Sequence, residues 1–340
     1  MVENEIYVND LENILKKELP WEKIEGKTFF ITGATGLIGS CLVDLLMRHN
    51  KANVICSVRN LKKAEDRFCN YLYRENFSLF EYNLKDKLSV ENQIDYIIHL
   101  ASGANPFEFT NHPVETISDN FFGTYNLLEY AKENNIKRFM YVSSGEVYGE
   151  AVAEDTVFTE EYVGTIDSIN VRSCYPISKK ASEVLCASYL KECGVDSVIV
   201  RPCHIYGPTM TETDSRVSSY LIRLAVNNED LLLKSDGKTV RSNCYIVDAI
   251  SGLMHVLLLG KEGDAYNIAS DKESSILEFA QTVSQVARVK VVFDIDKKIE
   301  KRSRAVLSNE KLKALGWREE NNLFDGISKT INILKKAKIH

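Results

Sequence analysis

The chain has 340 residues, of which 44% are hydrophobic and 26% charged, and its formal net charge is −6. This composition is that of a globular protein with room for one large α/β domain and a smaller lobe, or for two modest domains. Because acidic and basic residues are interspersed, the chain lacks the basic surface of a protein that binds nucleic acid or an anionic membrane.

Neither the cysteines nor the apolar stretches indicate an extracellular or membrane protein. The eight cysteines are scattered without a C-x-x-C pair, which predicts free thiols in a reducing cytoplasm. No His, Cys or carboxylate cluster has the spacing of a metal site, so we expect no metal. No secretory signal is visible at the N-terminus, and no stretch approaches the roughly 18 apolar residues of a transmembrane helix.

Short apolar strands and helices alternate through the first 200 residues. After an amphipathic helix (6–19) and a hinge (20–26), strands are predicted at 27–32, 53–58, 78–82, 95–100, 138–143 and 196–200, and helices at 37–49, 61–73, 114–134 and 174–193. This alternation indicates βαβ units, and hence an α/β fold with a Rossmann-type doubly wound parallel sheet. In such a sheet, ligands bind at the carboxyl ends of the strands.

The rhythm changes after residue 200, where helices are predicted near 216–227, 248–259, 274–287 and 322–337. We therefore expect an N-terminal helical extension (1–25), a sheet domain (26–200 plus about 236–268) and a smaller C-terminal α/β substrate lobe (201–235 and 269–340).

A glycine-rich segment, TGATGLIG (32–39), joins the first strand directly to a helix. Glycine permits the tight turn and the close approach of backbone to a pyrophosphate, and the amides at the helix N-terminus face the phosphate charge. We therefore predict a dinucleotide site formed by Gly33, Thr35, Gly36, Leu37, Ile38 and Gly39, with a purely structural turn as the alternative.

The end of the second strand bears on which dinucleotide binds. An acidic residue there would accept hydrogen bonds from the adenosine ribose, but the sequence reads Ser57-Val58-Arg59-Asn60. Arg59 favours a 2′-phosphate, so the cofactor is predicted as NAD or NADP with a lean towards NADP. The alternative for Arg59 is a solvated surface arginine.

Tyr175 and Lys179 lie four residues apart at the start of a predicted helix, which puts both side chains on one face. A neighbouring ammonium and a positive nicotinamide ring favour the phenolate, bringing the tyrosine pKa towards neutral pH for proton exchange. Ser144 follows a sheet strand, where its hydroxyl can bind the substrate oxygen. Asn120 is a further polar candidate, with a helix-surface amide as the alternative.

Taken together, TGATGLIG, HLAS (99–102), Ser144, YPISK (175–179) and RPCHIYGP (201–208) resemble the extended short-chain dehydrogenases/reductases that act on nucleotide sugars. The resemblance covers roughly residues 26–335. It implies a Rossmann domain that binds NAD(P), with Leu100, Ala101 and Ser102 beside the cofactor, and a lobe that binds a nucleoside diphosphate-sugar. It also implies catalytic roles for Ser144, Tyr175, Lys179 and Asn120, and a homodimer formed through helices 114–134 and 174–193.

Glu146 bears on the type of sugar chemistry. Members of this family oxidise the sugar at C4, and the ketone then permits elimination, epimerisation or decarboxylation. The 4,6-dehydratases carry an Asp-Glu pair where this chain has Gly145-Glu146, and the 4-epimerases usually lack the glutamate. The segments around Glu146, Arg172-Ser-Cys-Tyr175 and Arg216 are similar to the UDP-glucuronate decarboxylase subfamily. A 4-epimerase, a 4,6-dehydratase and an NADPH-dependent keto-sugar reductase remain as alternatives.

Four further residues are predicted to bind the substrate. Arg216, Arg241 and Arg304 match arginine positions of that subfamily, and arginines suit a diphosphate or a carboxylate. His204 stands where the subfamily has asparagine, and packing of this histidine is the alternative. Arg59, in place of an acidic residue, and the loop 101–113 are also departures from the subfamily.

Overall fold

The computed structural model describes residues 2–103, 106–151, 153, 156–295 and 304–338. The helices are α1 (Glu5–Leu15), α2 (Leu37–His49), α3 (Leu61–Phe68), α4 (Pro106–Asn111), α5 (Pro113–Asn134), α6 (Cys174–Cys193), α7 (Val217–Val226), α8 (Ile246–Leu259), α9 (Ile276–Ala287), α10 (Glu310–Lys313) and α11 (Leu323–Lys338). Short 3-10 turns occupy Trp21–Ile24, Gly145–Tyr148 and Val171–Ser173.

The strands are β1 (Thr28–Thr32), β2 (Asn53–Val58), β3 (Phe77–Glu81), β4 (Tyr96–His99), β5 (Arg138–Val142), β6 (Val157–Phe158), β7 (Ser197–Pro202), β8 (Ile205–Tyr206), β9 (Leu231–Leu233), β10 (Val240–Arg241), β11 (Cys244–Tyr245), β12 (Ala265–Ile268), β13 (Ser274–Ser275), β14 (Val291–Phe293) and β15 (Arg304–Leu307). Seven of them form one sheet in the order β12-β7-β5-β4-β1-β2-β3, with every neighbouring pair parallel.

This sheet confirms the predicted Rossmann-type doubly wound fold. From β1 the strand order runs one way through β2 and β3 and the other way through β4 and β5, so a crevice opens between the ends of β1 and β4. Helices α2 and α8 supply apolar side chains to the core on one face of the sheet, and α5 and α6 cover the other. A second sheet, β13-β10-β15-β6, combines strands from both the predicted sheet domain and the predicted lobe, so the domain bounds stay a prediction.

Two predicted helices are shorter than expected. The helix predicted at 61–73 ends at Phe68, and Tyr71 then donates a hydrogen bond from its hydroxyl to Asp44 on α2 at 3.1 Å. The helix predicted at 6–19 ends at Leu15. Its buried Asp10 accepts hydrogen bonds from Tyr245 at 2.9 Å and from Lys329 at 2.6 Å, so the N-terminal helix is fixed to both β11 and α11.

Candidate active site

The glycine loop forms a tight turn between β1 and α2. Gly33 has φ +67°, and a Cβ atom there would lie 2.8 Å from the backbone nitrogen of Ala101. At Gly39 a Cβ atom would lie 2.2 Å from the carbonyl oxygen of Gly33. Gly36 precedes α2 without a side-chain cap, so the first amides of the helix have no such partner. These features fit the pyrophosphate of a dinucleotide, which binds to amides at a helix N-terminus.

The end of β4 is joined to the glycine loop through Thr32. Its Oγ1 lies 2.8 Å from Nδ1 of His99 and accepts a hydrogen bond from the amide of Ala101 at 3.1 Å. Burial, followed by the charge of Lys179, lowers the pKa of His99 to about 3, so the imidazole is neutral. The segment Leu100–Ser102 is thereby held beside the loop.

Tyr175 lies in the first turn of α6 and is almost completely buried. Burial and, less strongly, the charge of Glu146 raise the pKa of its phenol to a net value of about 12. Hydrogen bonds with Ser144 and Ser102 and the charge of Arg216 act in the opposite direction. In the protein alone the pKa is therefore raised, whereas we expected the neighbouring lysine and a positive nicotinamide ring to lower it.

The environment of Lys179 explains why the pKa of Tyr175 is raised and not lowered as expected. Its Nζ donates a hydrogen bond to the carbonyl oxygen of Val142 at 2.8 Å and lies 4.9 Å from the centroid of the Tyr141 ring. Burial lowers the pKa of the amine to about 7, although Glu183 favours the charged form. The amine therefore loses its proton far more readily than an exposed lysine and provides only part of the expected positive charge.

Ser144 caps the 3-10 turn that follows β5, and Glu146 lies within this turn. The Ser144 hydroxyl accepts a hydrogen bond from the amide of Glu146 at 3.2 Å. At the intervening Gly145, an added Cβ atom would lie 3.2 Å from the Leu307 side chain and 3.6 Å from that of Cys203. The position that is aspartate in the 4,6-dehydratases is thus closely packed here.

The Glu146 carboxylate forms a bidentate ion pair with Arg172, which was not among the predicted site residues. The nitrogen–oxygen distances are 2.9 and 3.2 Å. The Arg172 guanidinium lies 4.9 Å from the centroid of the Phe109 ring, and the Phe109 ring stacks on Tyr175 at 5.4 Å. The sequence signal for Arg172 was its place three residues before Tyr175; nothing in the sequence indicated Phe109.

The predicted substrate-binding arginines differ in their partners. Arg216 forms a bidentate ion pair with Asp214, and Arg304 contacts Glu273 and the carbonyl oxygen of Thr156. Arg241 has no ion-pair partner among the described residues, and burial lowers its pKa. Of these three arginines, it is the one that an incoming anion can pair with directly.

His204 follows β7 with φ +48°, and its Nδ1 lies 2.9 Å from the sulfur of Cys203. The surrounding protein lowers its pKa well below the usual value, and the charges of Arg241 and Arg216 lower it further. The imidazole is therefore neutral at pH 7, and it remains accessible from the cavity.

Asn120 is buried, so the alternative of a helix-surface amide is wrong. Its Oδ1 accepts a hydrogen bond from Ser102 at 2.7 Å, and its Nδ2 donates one to Ser178 at 2.9 Å. It links the end of β4 to α6 from behind the site.

The other predicted site residues all line one cavity of about 2380 Å³: Gly33, Thr35, Gly36, Leu37, Ile38, Gly39, Arg59, Leu100, Ala101, Ser102, Ser144, Glu146, Tyr175, Lys179, His204, Arg216, Arg241 and Arg304. Pockets for one small molecule measure roughly 300–1,000 Å³. The cavity can therefore hold a dinucleotide and a second ligand together. Residues 104 and 105 of the loop 101–113 lie outside the described residues.

A doubly wound sheet with this glycine loop, and with a Tyr–Lys pair and a serine in the same cavity, defines a dinucleotide-dependent enzyme. Residues 29–269 match the model of the NAD dependent epimerase/dehydratase family. The chain is 33% identical over 299 residues to UDP-glucuronic acid decarboxylase 6 of Arabidopsis thaliana, covering 87% of this chain and 85% of that protein.

Two solved structures share the fold. A dTDP-glucose 4,6-dehydratase from Bacillus anthracis in complex with NAD has a TM-score of 0.80 at 21% identity, covering 92% of this chain and 98% of that one. A UDP-glucuronic acid 4-epimerase from Bacillus cereus in complex with UDP-glucuronic acid and NAD has a TM-score of 0.79 at 22% identity, covering 91% and 99%.

The chain belongs to the NAD dependent epimerase/dehydratase family. The predicted family is confirmed, and with it an NAD-dependent enzyme. The preference for NADP stays a prediction: Arg59 lines the cavity and forms no ion pair with the described residues, but the two structures named above contain NAD. Within the described part of the chain, no helix has the length and apolar character needed to cross a membrane.

Proposed function

We propose that the enzyme decarboxylates UDP-glucuronate through transient oxidation at C4 of the sugar. The observation that carries this proposal is the Glu146 carboxylate, which lies in the same cavity as Tyr175, next to a glycine instead of a second acid. The similarity to UDP-glucuronic acid decarboxylases over 87% of the chain supports the same substrate.

Tyr175, Ser144 and Lys179 handle the proton of the C4 hydroxyl in the first step. NAD, when bound, supplies the acceptor and later the donor of the C4 hydrogen. The Tyr175 phenolate takes the hydroxyl proton, and the Ser144 hydroxyl holds the same substrate oxygen. Burial lowers the pKa of the Lys179 amine to about 7, so this side chain, on the same helix face as Tyr175, can exchange protons at neutral pH.

Loss of carbon dioxide follows from the C4 ketone. The bond between C5 and C6 breaks, its electron pair forms a C4–C5 enolate, and the protonated Tyr175 stabilises the enolate oxygen by a hydrogen bond. A proton then adds to C5 from a water molecule that the Glu146 carboxylate holds beside this carbon, and solvent replaces it. The overall change is UDP-glucuronate plus a proton to a UDP-pentose plus carbon dioxide.

Incubation of the enzyme with UDP-glucuronate and NAD tests this proposal by the mass of the nucleotide sugar formed and by release of carbon dioxide. We expect a UDP-pentose and stoichiometric carbon dioxide. Tyr175→Phe should abolish both, while UDP-glucose, which lacks the carboxylate, should release none. Absence of carbon dioxide at saturating UDP-glucuronate would refute the proposal.

The same mass measurement separates the alternatives. A 4-epimerase gives a product of unchanged mass, and a 4,6-dehydratase gives one that has lost water. Dehydration is disfavoured because Gly145 packs against Leu307, where an acid that protonates the leaving hydroxyl would have to fit.

A second candidate is an NADPH-dependent reductase of a keto-sugar nucleotide, which Arg59 favours. It would consume NADPH stoichiometrically in the presence of a 4-keto sugar nucleotide, and Glu146→Gln would leave its rate unchanged. A redox-neutral decarboxylase would show no net consumption.

We also propose a homodimer through α5 and α6. Val114, Phe122 and Tyr125 on α5 and Val184 on α6 leave 42–73% of their area exposed, which is apolar surface that a second copy could bury. Light scattering during gel filtration would test this.

The eight free cysteines agree with the predicted cytoplasmic location.

A further inference from the structure

Arg172 connects the two acid–base groups of the site. Its guanidinium binds both oxygens of Glu146 and also lies on the Phe109 ring, which in turn stacks on Tyr175. Bidentate geometry fixes a carboxylate in both position and orientation. The three layers thus give Glu146 and Tyr175 a common support.

The short turn that carries Arg172 is itself anchored. The Asn170 side chain accepts a hydrogen bond from the Arg172 amide at 3.0 Å, and the Cys174 thiol donates one to the carbonyl oxygen of Phe109 at 3.5 Å. Phe109 is fully buried, so its ring has little freedom to leave the stack. The place of the guanidinium is therefore set by the fold and not only by Glu146.

A carboxylate beside the reacting phenol has a cost for the first step, because negative charge disfavours the phenolate. Arg172 compensates the negative charge of Glu146 by pairing directly with its carboxylate. The charged and titratable groups that face Tyr175 are Glu146 from the turn after β5, Arg172 from the turn before α6, Arg216 from the start of α7, Tyr141 from β5, and Lys179 on α6 itself. Among these, only Arg172 binds Glu146 directly.

We propose that Arg172 is a positioning residue that orients Glu146 for the second step and cancels its charge next to Tyr175, so that a carboxylate and a phenolate can function side by side. The part concerning Tyr175 rests on the contacts that run from Glu146 through Arg172 and Phe109 to Tyr175, and the part concerning the second step rests on the proposed function.

Ultraviolet titration of Tyr175 in the NAD-saturated enzyme tests the first part without substrate. The absorbance of each protein is corrected by that of the same protein carrying Tyr175→Phe, which isolates one phenol. We expect Arg172→Gln to raise the midpoint of the Tyr175 titration by about one pH unit, because no cation then compensates the negative charge of Glu146. The double variant Arg172→Gln/Glu146→Gln should return it to the wild-type value.

A merely structural role would behave differently, because the double variant would then be as perturbed as the single one. An unchanged midpoint in Arg172→Gln, or a shift that the double variant does not reverse, would overturn the proposal. Phe109→Leu, which keeps apolar volume but removes the ring, should shift the midpoint in the same direction by less. Arg48→Gln, which breaks a surface ion pair with Glu12, is the matched control and should have no effect.

Arg172→Lys separates charge from orientation. The midpoint of the Tyr175 titration in this variant should equal that of the wild type, because the positive charge is retained. The variant should nevertheless release carbon dioxide at least about tenfold more slowly, because the bidentate geometry is lost. Restoration of both properties would overturn the orienting role. If the titrations follow the expectation but wild-type enzyme releases no carbon dioxide, the charge compensation stands and the proposed substrate fails.

Discussion

Lys179 should make the protein less stable at neutral pH, and Lys179→Met should therefore stabilise it. The lysine side chain is 2% exposed, and its pKa falls from 10.5 to about 7 on burial. The unfolded chain thus binds one more proton than the native protein throughout the pH range between these values. Stability consequently rises with pH in this range and is lowest below the native pKa, where the buried ammonium must be kept charged.

The size of this effect follows from the shift. One pKa unit corresponds to about 1.4 kcal/mol, so burial of the charged amine costs roughly 5 kcal/mol below pH 7 and the cost falls by about 2–3 kcal/mol between about pH 7 and pH 9. Methionine fills a similar volume and does not titrate. The lost hydrogen bond to Val142 offsets only about 1 kcal/mol of the gain.

Urea denaturation of wild type and Lys179→Met at several pH values measures the difference in the free energy of unfolding. Taking the difference removes the contribution of other titrating groups, such as the buried Asp248, whose pKa is raised to about 6 by burial. We expect the variant to be inactive and more stable, with an advantage that shrinks as the pH rises. An advantage that is independent of pH would refute the reasoning, because the amine would then titrate normally in the folded protein.

Three other substitutions test the cofactor site and the N-terminal helix. Gly33→Ala should weaken NAD binding at least about tenfold, because the new Cβ atom would lie 2.8 Å from the backbone and φ is positive. Fluorescence titration with NAD measures the affinity, and an unchanged affinity would contradict the role of the glycine loop in binding the cofactor. Arg59→Asp should lower affinity for NADP relative to NAD by about 1–2 kcal/mol, measured by calorimetry, whereas an unchanged ratio would make Arg59 a surface residue. Asp10→Ala should lower the free energy of unfolding by about 2–3 kcal/mol because Lys329 and Tyr245 lose their shared partner, with enzymatic activity retained below the melting temperature.

The fold and the cofactor loop could be predicted because local rules determine them. The strand–glycine–helix order around Gly33 admits few conformations, and four-residue spacing places Tyr175 and Lys179 on one helix face whatever surrounds them. The pKa of Tyr175 could not be predicted in the same way. It depends on how deeply the helix is buried and on which carbonyl takes the Lys179 amine, and both are properties of the folded chain.

The contacts that could not be predicted from the sequence join residues that are far apart along the chain. Phe109 and Arg172 are 63 positions apart and meet only because α4 packs on the turn before α6. Asn120 presents the same difficulty, since an amide within a long helix gives no sign of whether it faces water or another helix. Its two hydrogen bonds identify it as a link between Ser102 and Ser178.

The charges of the arginines that line the cavity favour an anionic ligand over a neutral one. Arg172, Arg216 and Arg304 each hold a carboxylate of the protein, so their charges are balanced before any ligand arrives. Arg241 lacks such a partner among the described residues and is partly withdrawn from solvent, a state that is unfavourable until an anion pairs with it. If a diphosphate or carboxylate binds at Arg241, as predicted, it relieves a cost already present in the free enzyme, while the other three arginines keep the carboxylates that already pair with them.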